Sequence, residues 1–144
     1  MNYPKVGDII TTKKALKLLK HFDMDLQYRR LRANPQNYKS WTFDGISGVW
    51  DEIAATITHV DQKKLTNLCA LPHDLAYAYG ELGNEREREE ADKIFKKNLM
   101  KKAKMDPFWA KIFYKVVRIG GQETLGLSFS WGFATDPKRI EISI

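Results

Sequence analysis

His73 and Asp74 stand side by side in the chain, Tyr77 follows one helical turn after His73, and Asp92 falls on the next predicted helix. These are residue types for hydrolysis. An imidazole takes a proton near neutral pH, and a carboxylate that accepts one ring N–H fixes the tautomer and leaves the other nitrogen as a general base toward water. The Tyr77 hydroxyl can steady that carboxylate. Asp74 projects about 100° away from His73 around a helix. With loop carbonyls it could bind a hard cation such as calcium, which would stabilise an oxyanion near the same water. The same spacing also suits a buried, hydrogen-bonded His73–Asp92 pair with a purely structural role. Little else in the chain has catalytic character: His21 and His59 lie among polar residues and read as exposed, and Cys69 reads as a small buried hydrophobe.

The elements that must position these side chains follow from periodicity. A helix from about Leu71 or Pro72 to Leu82, ending at Gly83-Asn84, puts Leu71, Leu75, Ala78 and Leu82 on one core-facing side. His73, Ala76 and Tyr77 fall on nearly the opposite face, with Cys69 if the helix reaches back that far. Pro72 belongs at the first helical position. The next helix covers roughly Glu85 to Lys104 and opens with glutamates and closes with lysines, as the helix dipole favours. There Asp92 shares a stripe with Phe95 and Leu99, while Arg86, Glu87, Glu90, Lys93, Lys96 and Lys97 mostly face solvent. A carboxylate inside an apolar stripe needs a partner. The short Gly83-Asn84 connection makes the two helices antiparallel neighbours, which places Asp92 opposite His73 and Tyr77.

Around this pair, Thr12 can cap a basic amphipathic helix with apolar Ala15, Leu16, Leu18, Leu19 and Phe22 opposite Lys13, Lys14, Lys17 and Lys20. A second basic stretch carries Leu26, Tyr28 and Leu31 and ends at Asn34-Pro35-Gln36-Asn37. Such helices either pack with a solvated lysine face or lie on an anionic surface. Trp41 to Asp51 reads as a tight, ordered loop, Glu52 to Thr58 as a short helix, and His59 to Lys64 as a polar connection. Asp106-Pro107 starts a further helix through Trp109, Ile112, Phe113, Val116 and Val117, stopped by Gly120-Gly121. Leu125, Leu127, Phe129, Trp131 and Phe133 alternate with a period of two, which predicts an extended tail.

With 144 residues the chain reads as one mainly α-helical domain without a linker, its first forty residues basic and helical. No apolar run approaches the ~20 residues needed to span a bilayer. The first residues lack the apolar region of a secretory signal, so synthesis in the cytoplasm, followed by release or delivery without such a signal, is the expectation. One cysteine excludes an internal disulfide framework and a zinc site of paired cysteines. A net charge of +6 favours an anionic partner and by itself does not separate an acidic membrane surface from nucleic acid.

At the His73 helix the chain resembles the phospholipase A2 superfamily, most of all its short, disulfide-poor bacterial and parvovirus-like branches. Those share a His-Asp-x-x-Tyr helix, here His73-Asp74-Leu75-Ala76-Tyr77, followed by Ala-Asp on a second helix, here Ala91-Asp92-Lys93-Ile94-Phe95. Phe43-Asp44-Gly45-Ile46-Ser47-Gly48-Val49 is similar to the entry of the bacterial relatives' calcium loop, and Ser130-Trp131-Gly132-Phe133 to their closing segment. Cys69 stands where relatives carry the first of two adjacent cysteines. The chain departs from the pattern in Ala70 and Ile46, where relatives have cysteines, and in Trp50-Asp51 in place of Pro-Asp. The resemblance covers the core, residues 41–134, and leaves 1–40 outside it as a basic helical extension; it implies a phospholipase A2-like fold for that core and hydrolysis of the sn-2 ester of glycerophospholipids. It also implies His73 as the base, Asp92 as its orienting carboxylate, Tyr77 bonded to Asp92, and calcium held by Asp74 and the loop at Gly45 and Gly48. The alternative is an inactive member of that fold that binds a membrane or another protein.

Overall fold

The structure is a computed structural model that describes residues 1–45 and 50–137, the side chains of residues 50–52 excepted. It is mainly helical. The chain opens with β1 (Ile9–Ile10), α1 (Thr12–His21) and α2 (Asp25–Ala33), and a 3-10 turn at Pro35–Asn37 leads into β2 (Trp41–Thr42). Then come α3 (Trp50–Thr58), α4 (Gln62–Lys64), α5 (Leu71–Ala78), α6 (Glu85–Lys101) and α7 (Pro107–Gly120).

β1 and β2 pair antiparallel, Ile9 opposite Thr42 and Ile10 opposite Trp41. The ladder is extended by Gly7 N–H donating to Phe43 O at 2.7 Å and Phe43 N–H to Asp8 O at 2.9 Å. This small ribbon fixes the segment that leads to Gly45. α1 is capped by Thr11, one residue before the predicted Thr12, its hydroxyl accepting from Lys14 N–H. Its Leu18 and Leu19 join Leu31, Phe43, Leu71, Leu75 and Ala78 in one buried cluster, while Lys13, Lys17 and Lys20 remain exposed. The basic helix is thus a packed element with a solvated lysine face. α2 is tied to α6 by Arg30, which forms a two-armed pair with Glu87 at 2.8 Å per arm and also donates to Tyr79 O. Glu87 therefore turns inward to Arg30 instead of facing solvent as its place in the helix pattern suggested.

The His73 helix begins earlier and ends sooner than its periodicity predicts. Residues 62–78 form one continuous helical rod in which Leu65–Ala70 takes the wider π register. The start is capped by Asp61, whose carboxylate accepts from Lys64 N–H, so 62–64 is helix where a polar connection was expected. Pro72 lies inside the rod, not at its beginning. In a regular helix its ring would collide with the carbonyl four residues back. Here Leu71 N–H reaches back five residues to Thr66 O, and the wide turn directly before Pro72 accommodates the ring. The rod stops at Ala78, so Leu82 falls beyond it and is exposed, while Leu71, Leu75 and Ala78 are buried as predicted.

The tail is not extended. Glu123–Leu125 is a 3-10 turn, Gly126 is left-handed (φ 61°), and turns continue through Ala134. Among the described residues its only strand-like pairing is a single bridge, Tyr38 to Thr135. Leu125, Leu127 and Phe129 stay exposed, whereas Trp131 is buried. The period of two in the sequence has no counterpart in burial: residues 122–129 are all exposed and 130–132 all buried, because turns and not a pleat carry this segment. Trp131 lies against Gly80, where a Cβ would fall 2.3 Å from its ring, and donates its indole N–H to Glu81 O at 2.7 Å. Among the described residues no helix is long and apolar enough to cross a membrane.

Candidate active site

α5 and α6 run antiparallel, because Tyr77 meets Arg88 while the earlier His73 reaches the later Asp92 and Phe95. The two faces derived from the sequence meet. His73 Nε2 lies 2.8 Å from Asp92 Oδ1, and the Tyr77 hydroxyl donates to that same oxygen at 2.7 Å. Two rings pack against the imidazole, Tyr77 and Phe95, each with its centroid 4.5 Å away. Asp92 has no solvent exposure. Its pairing with His73 uses Nε2, so Nδ1 is the ring nitrogen not engaged by Asp92, and His73 borders a cavity of about 520 Å³.

The other carboxylate oxygen is taken by arginines that sequence reasoning did not assign to the site. Arg118, in the last turn of α7, donates to Asp92 Oδ2 at 2.7 Å. Arg88, one turn before Asp92 on α6, reaches the same oxygen at 3.4 Å. Arg88 also donates to the Tyr77 hydroxyl at 3.1 Å and to two terminal carbonyls of α7, Val117 O and Arg118 O. Both arginines pair with Glu85. The spacing of four between Arg88 and Asp92 was the available signal, since it puts both on one helix face. Arg118 lies on a different helix and gives no such signal. Gly121, just after α7, lets Tyr77 into this cluster: a Cβ there would lie 2.5 Å from the Tyr77 hydroxyl.

The electrostatics follow from these contacts. Burial alone drives the Asp92 carboxyl upward and is the largest single influence, but the bonds from His73, Tyr77 and Arg118 together outweigh it and hold its pKa below the usual value. Tyr77 is pushed up, by burial first and then by the Asp92 charge, so it stays a phenol that donates to Asp92. Burial raises the Cys69 thiol to about 12, which makes it an inert core side chain.

The cavity is apolar apart from its His73 end. Ile53, Ala54, Ile57, Phe95, Trp109 and Phe113 are among its walls, and Asp74 and Gly45 border it together with His73. Gly45 is left-handed (φ 63°). Gly48, the other loop residue expected at a metal, lies outside the described residues. Among the described residues no group of three or more His, Cys, Asp or Glu is arranged to hold a metal ion. A carboxylate supplemented by backbone carbonyls is a hard-oxygen donor set of the kind calcium takes, and the residues of that chemistry at the cavity's edge are Asp74 and Gly45.

The chain matches no family model, no curated protein and no solved structure, so the site stands on its own geometry.

Proposed function

We propose that the protein is a phospholipase A2-like, calcium-dependent esterase that hydrolyses the sn-2 ester of glycerophospholipids. The observation that carries this reading is a histidine whose Nε2 is bound to a fully buried aspartate and whose ring borders a cavity with apolar walls. A hydrolase for an ester with a long acyl chain needs that combination: a base oriented by an anion, next to a space that removes hydrocarbon from water. In the proposed reaction His73 Nδ1 takes a proton from water as the water oxygen bonds to the ester carbonyl carbon. When the tetrahedral intermediate collapses, the bond to the glycerol oxygen breaks and the imidazolium returns the proton to that oxygen. Asp92 stays ionised throughout and holds the ring. Asp74, with backbone oxygens about Gly45, would hold calcium, which when bound would supply positive charge for the developing oxyanion.

A surface beside the cavity suits a lipid partner. On α7, Phe108, Val116 and Ile119 are exposed at 64%, 59% and 67%, with Ile112 in the same stripe. The exposed Lys111 and Lys115 lie along one edge of it. Ile112 and Val116 also line the cavity, so the apolar stripe runs into its wall. An apolar strip edged by cations fits the boundary of an anionic bilayer. We place the site of action at a membrane reached after release or delivery from the cytoplasm, and nucleic acid has no part in this reading.

The same stripe favours one second reading, an inactive phospholipase A2-like module that binds a membrane or a protein partner through α7. The two separate in a lipid-hydrolysis assay on anionic phospholipid vesicles. The enzyme reading predicts fatty-acid release that chelator stops and that His73→Ala abolishes in a folded variant. Vesicle binding with no release at any calcium level would leave the binding module instead.

A further inference from the structure

Asp92 is held from two sides. His73 and Tyr77 share Oδ1, while Arg118 and Arg88 share Oδ2. Orienting an imidazole requires only the first pair, so the second pair needs its own explanation. Arg88 is 3.4 Å from Oδ2 and divides its donors among Glu85, Tyr77 and two carbonyls. Arg118 at 2.7 Å is therefore the principal partner of that oxygen, and it comes from the helix that also supplies much of the cavity wall.

We propose that Arg118, supported by Arg88, is a positioning residue that fixes the Asp92 carboxylate so that Oδ1 alone faces His73 and the imidazole proton stays on Nε2. This rests on the reading of His73 and Asp92 as base and orienting acid. A carboxylate anchored only at Oδ1 can turn about its Cβ–Cγ bond or take up a proton. Either change releases the imidazole from one tautomer and removes Nδ1 as a committed base. Anchoring Oδ2 with a charge-assisted bond blocks both. The groups facing Asp92 are His73 and Tyr77 from α5, Arg88 from α6 and Arg118 from α7, with Glu85 balancing the arginines.

The test is nuclear magnetic resonance of the His73 ring nitrogens and the Asp92 carboxyl carbon in the full chain, in wild type, Arg118→Met and Arg118→Lys. Wild type should show one His73 tautomer with the proton on Nε2. Arg118→Met should show a tautomer mixture and an Asp92 carboxyl that protonates at higher pH, and Arg118→Lys should restore most of the wild-type pattern. In the vesicle assay Arg118→Met should lower kcat on the order of tenfold with KM unchanged. A folded Arg118→Met with wild-type ring-nitrogen and carboxyl signals overturns the proposal, and Arg118→Gln gives the same reading if the methionine variant does not fold. If wild type hydrolyses no lipid yet Arg118→Met still frees the tautomer, the enzymatic reading fails and the positioning role stands.

Discussion

At the scale of single residues, the site is a buried ion cluster in which each charge answers another. Removing the Asp92 charge while keeping its shape, as in Asp92→Asn, leaves Arg88 and Arg118 facing each other across a neutral amide. Breaking one side of a buried ion pair costs about 3–5 kcal/mol, and urea denaturation should show a loss of that size. The pH dependence has a definite sign. The folded Asp92 carboxyl lies below its ordinary value, so its contribution to stability is complete above about pH 4, the range of an unfolded carboxylate. The contribution is lost as pH falls through the folded value. Acid unfolding of wild type should therefore steepen below that range, and Asp92→Asn should lose this component. His73, Tyr77 and Asp92 were legible in the sequence because helical periodicity puts each on a face that must find a partner. Arg118 was not, because a long cationic side chain on a helix of mostly apolar residues reads as solvated until the tertiary contact is seen.

The helices explain why the residues meet. α7 was readable from its end signals, since Asp106 accepts from Phe108 N–H and Gly121 closes the helix; α6 begins at Glu85 as expected, with Asn84 accepting from Glu87 N–H, but stops at Lys101 and not near Lys104. The rod that carries His73 was less readable, since a proline normally marks a helix start and the sequence has no local signal for the π turn that tolerates one. The turns of the tail were misread as an extended segment because apolar residues at a period of two normally mark a pleat, whereas here Leu125, Leu127 and Phe129 are all exposed and burial begins at Ser130. This element-level packing makes a prediction at Gly121, whose missing side chain leaves room for Tyr77. Gly121→Ala should cost about 1–3 kcal/mol, as forced overpacking does, and should break the Tyr77 bond to Asp92. Calorimetry and the environment of the Tyr77 ring, read by near-ultraviolet circular dichroism, check both parts. An unchanged melting temperature would show that Tyr77 gives way freely.

For the whole molecule, charge and shape divide the labour. The N-terminal helices, read from sequence as a basic extension, bury their leucines in the same cluster as Leu71 and Leu75 and so brace the rod that carries His73. The apolar stripe of α7 remains uncovered among the described residues. If it is the lipid-facing surface, Ile119→Asp and Phe108→Asp should each weaken sedimentation with anionic vesicles while leaving urea unfolding within about 0.5 kcal/mol of wild type, as exposed substitutions do. Salt should weaken the binding further through the lysines along the stripe's edge. Binding unaffected by either substitution would move the docking surface elsewhere, with the basic face of α1 as the next candidate.

The central claim is that the His73–Asp92 pair activates water toward a phospholipid ester. The most direct test is mass-spectrometric analysis of products from a glycerophospholipid labelled in its sn-2 chain, incubated with wild type and with folded His73→Ala in the presence of calcium. The account predicts labelled fatty acid and unlabelled lysophospholipid in equal amounts from wild type. From His73→Ala it predicts a rate lower by at least about a hundredfold, the usual scale for losing a general base. Equal rates from the two proteins, or no product from folded wild type at any calcium level, would contradict it.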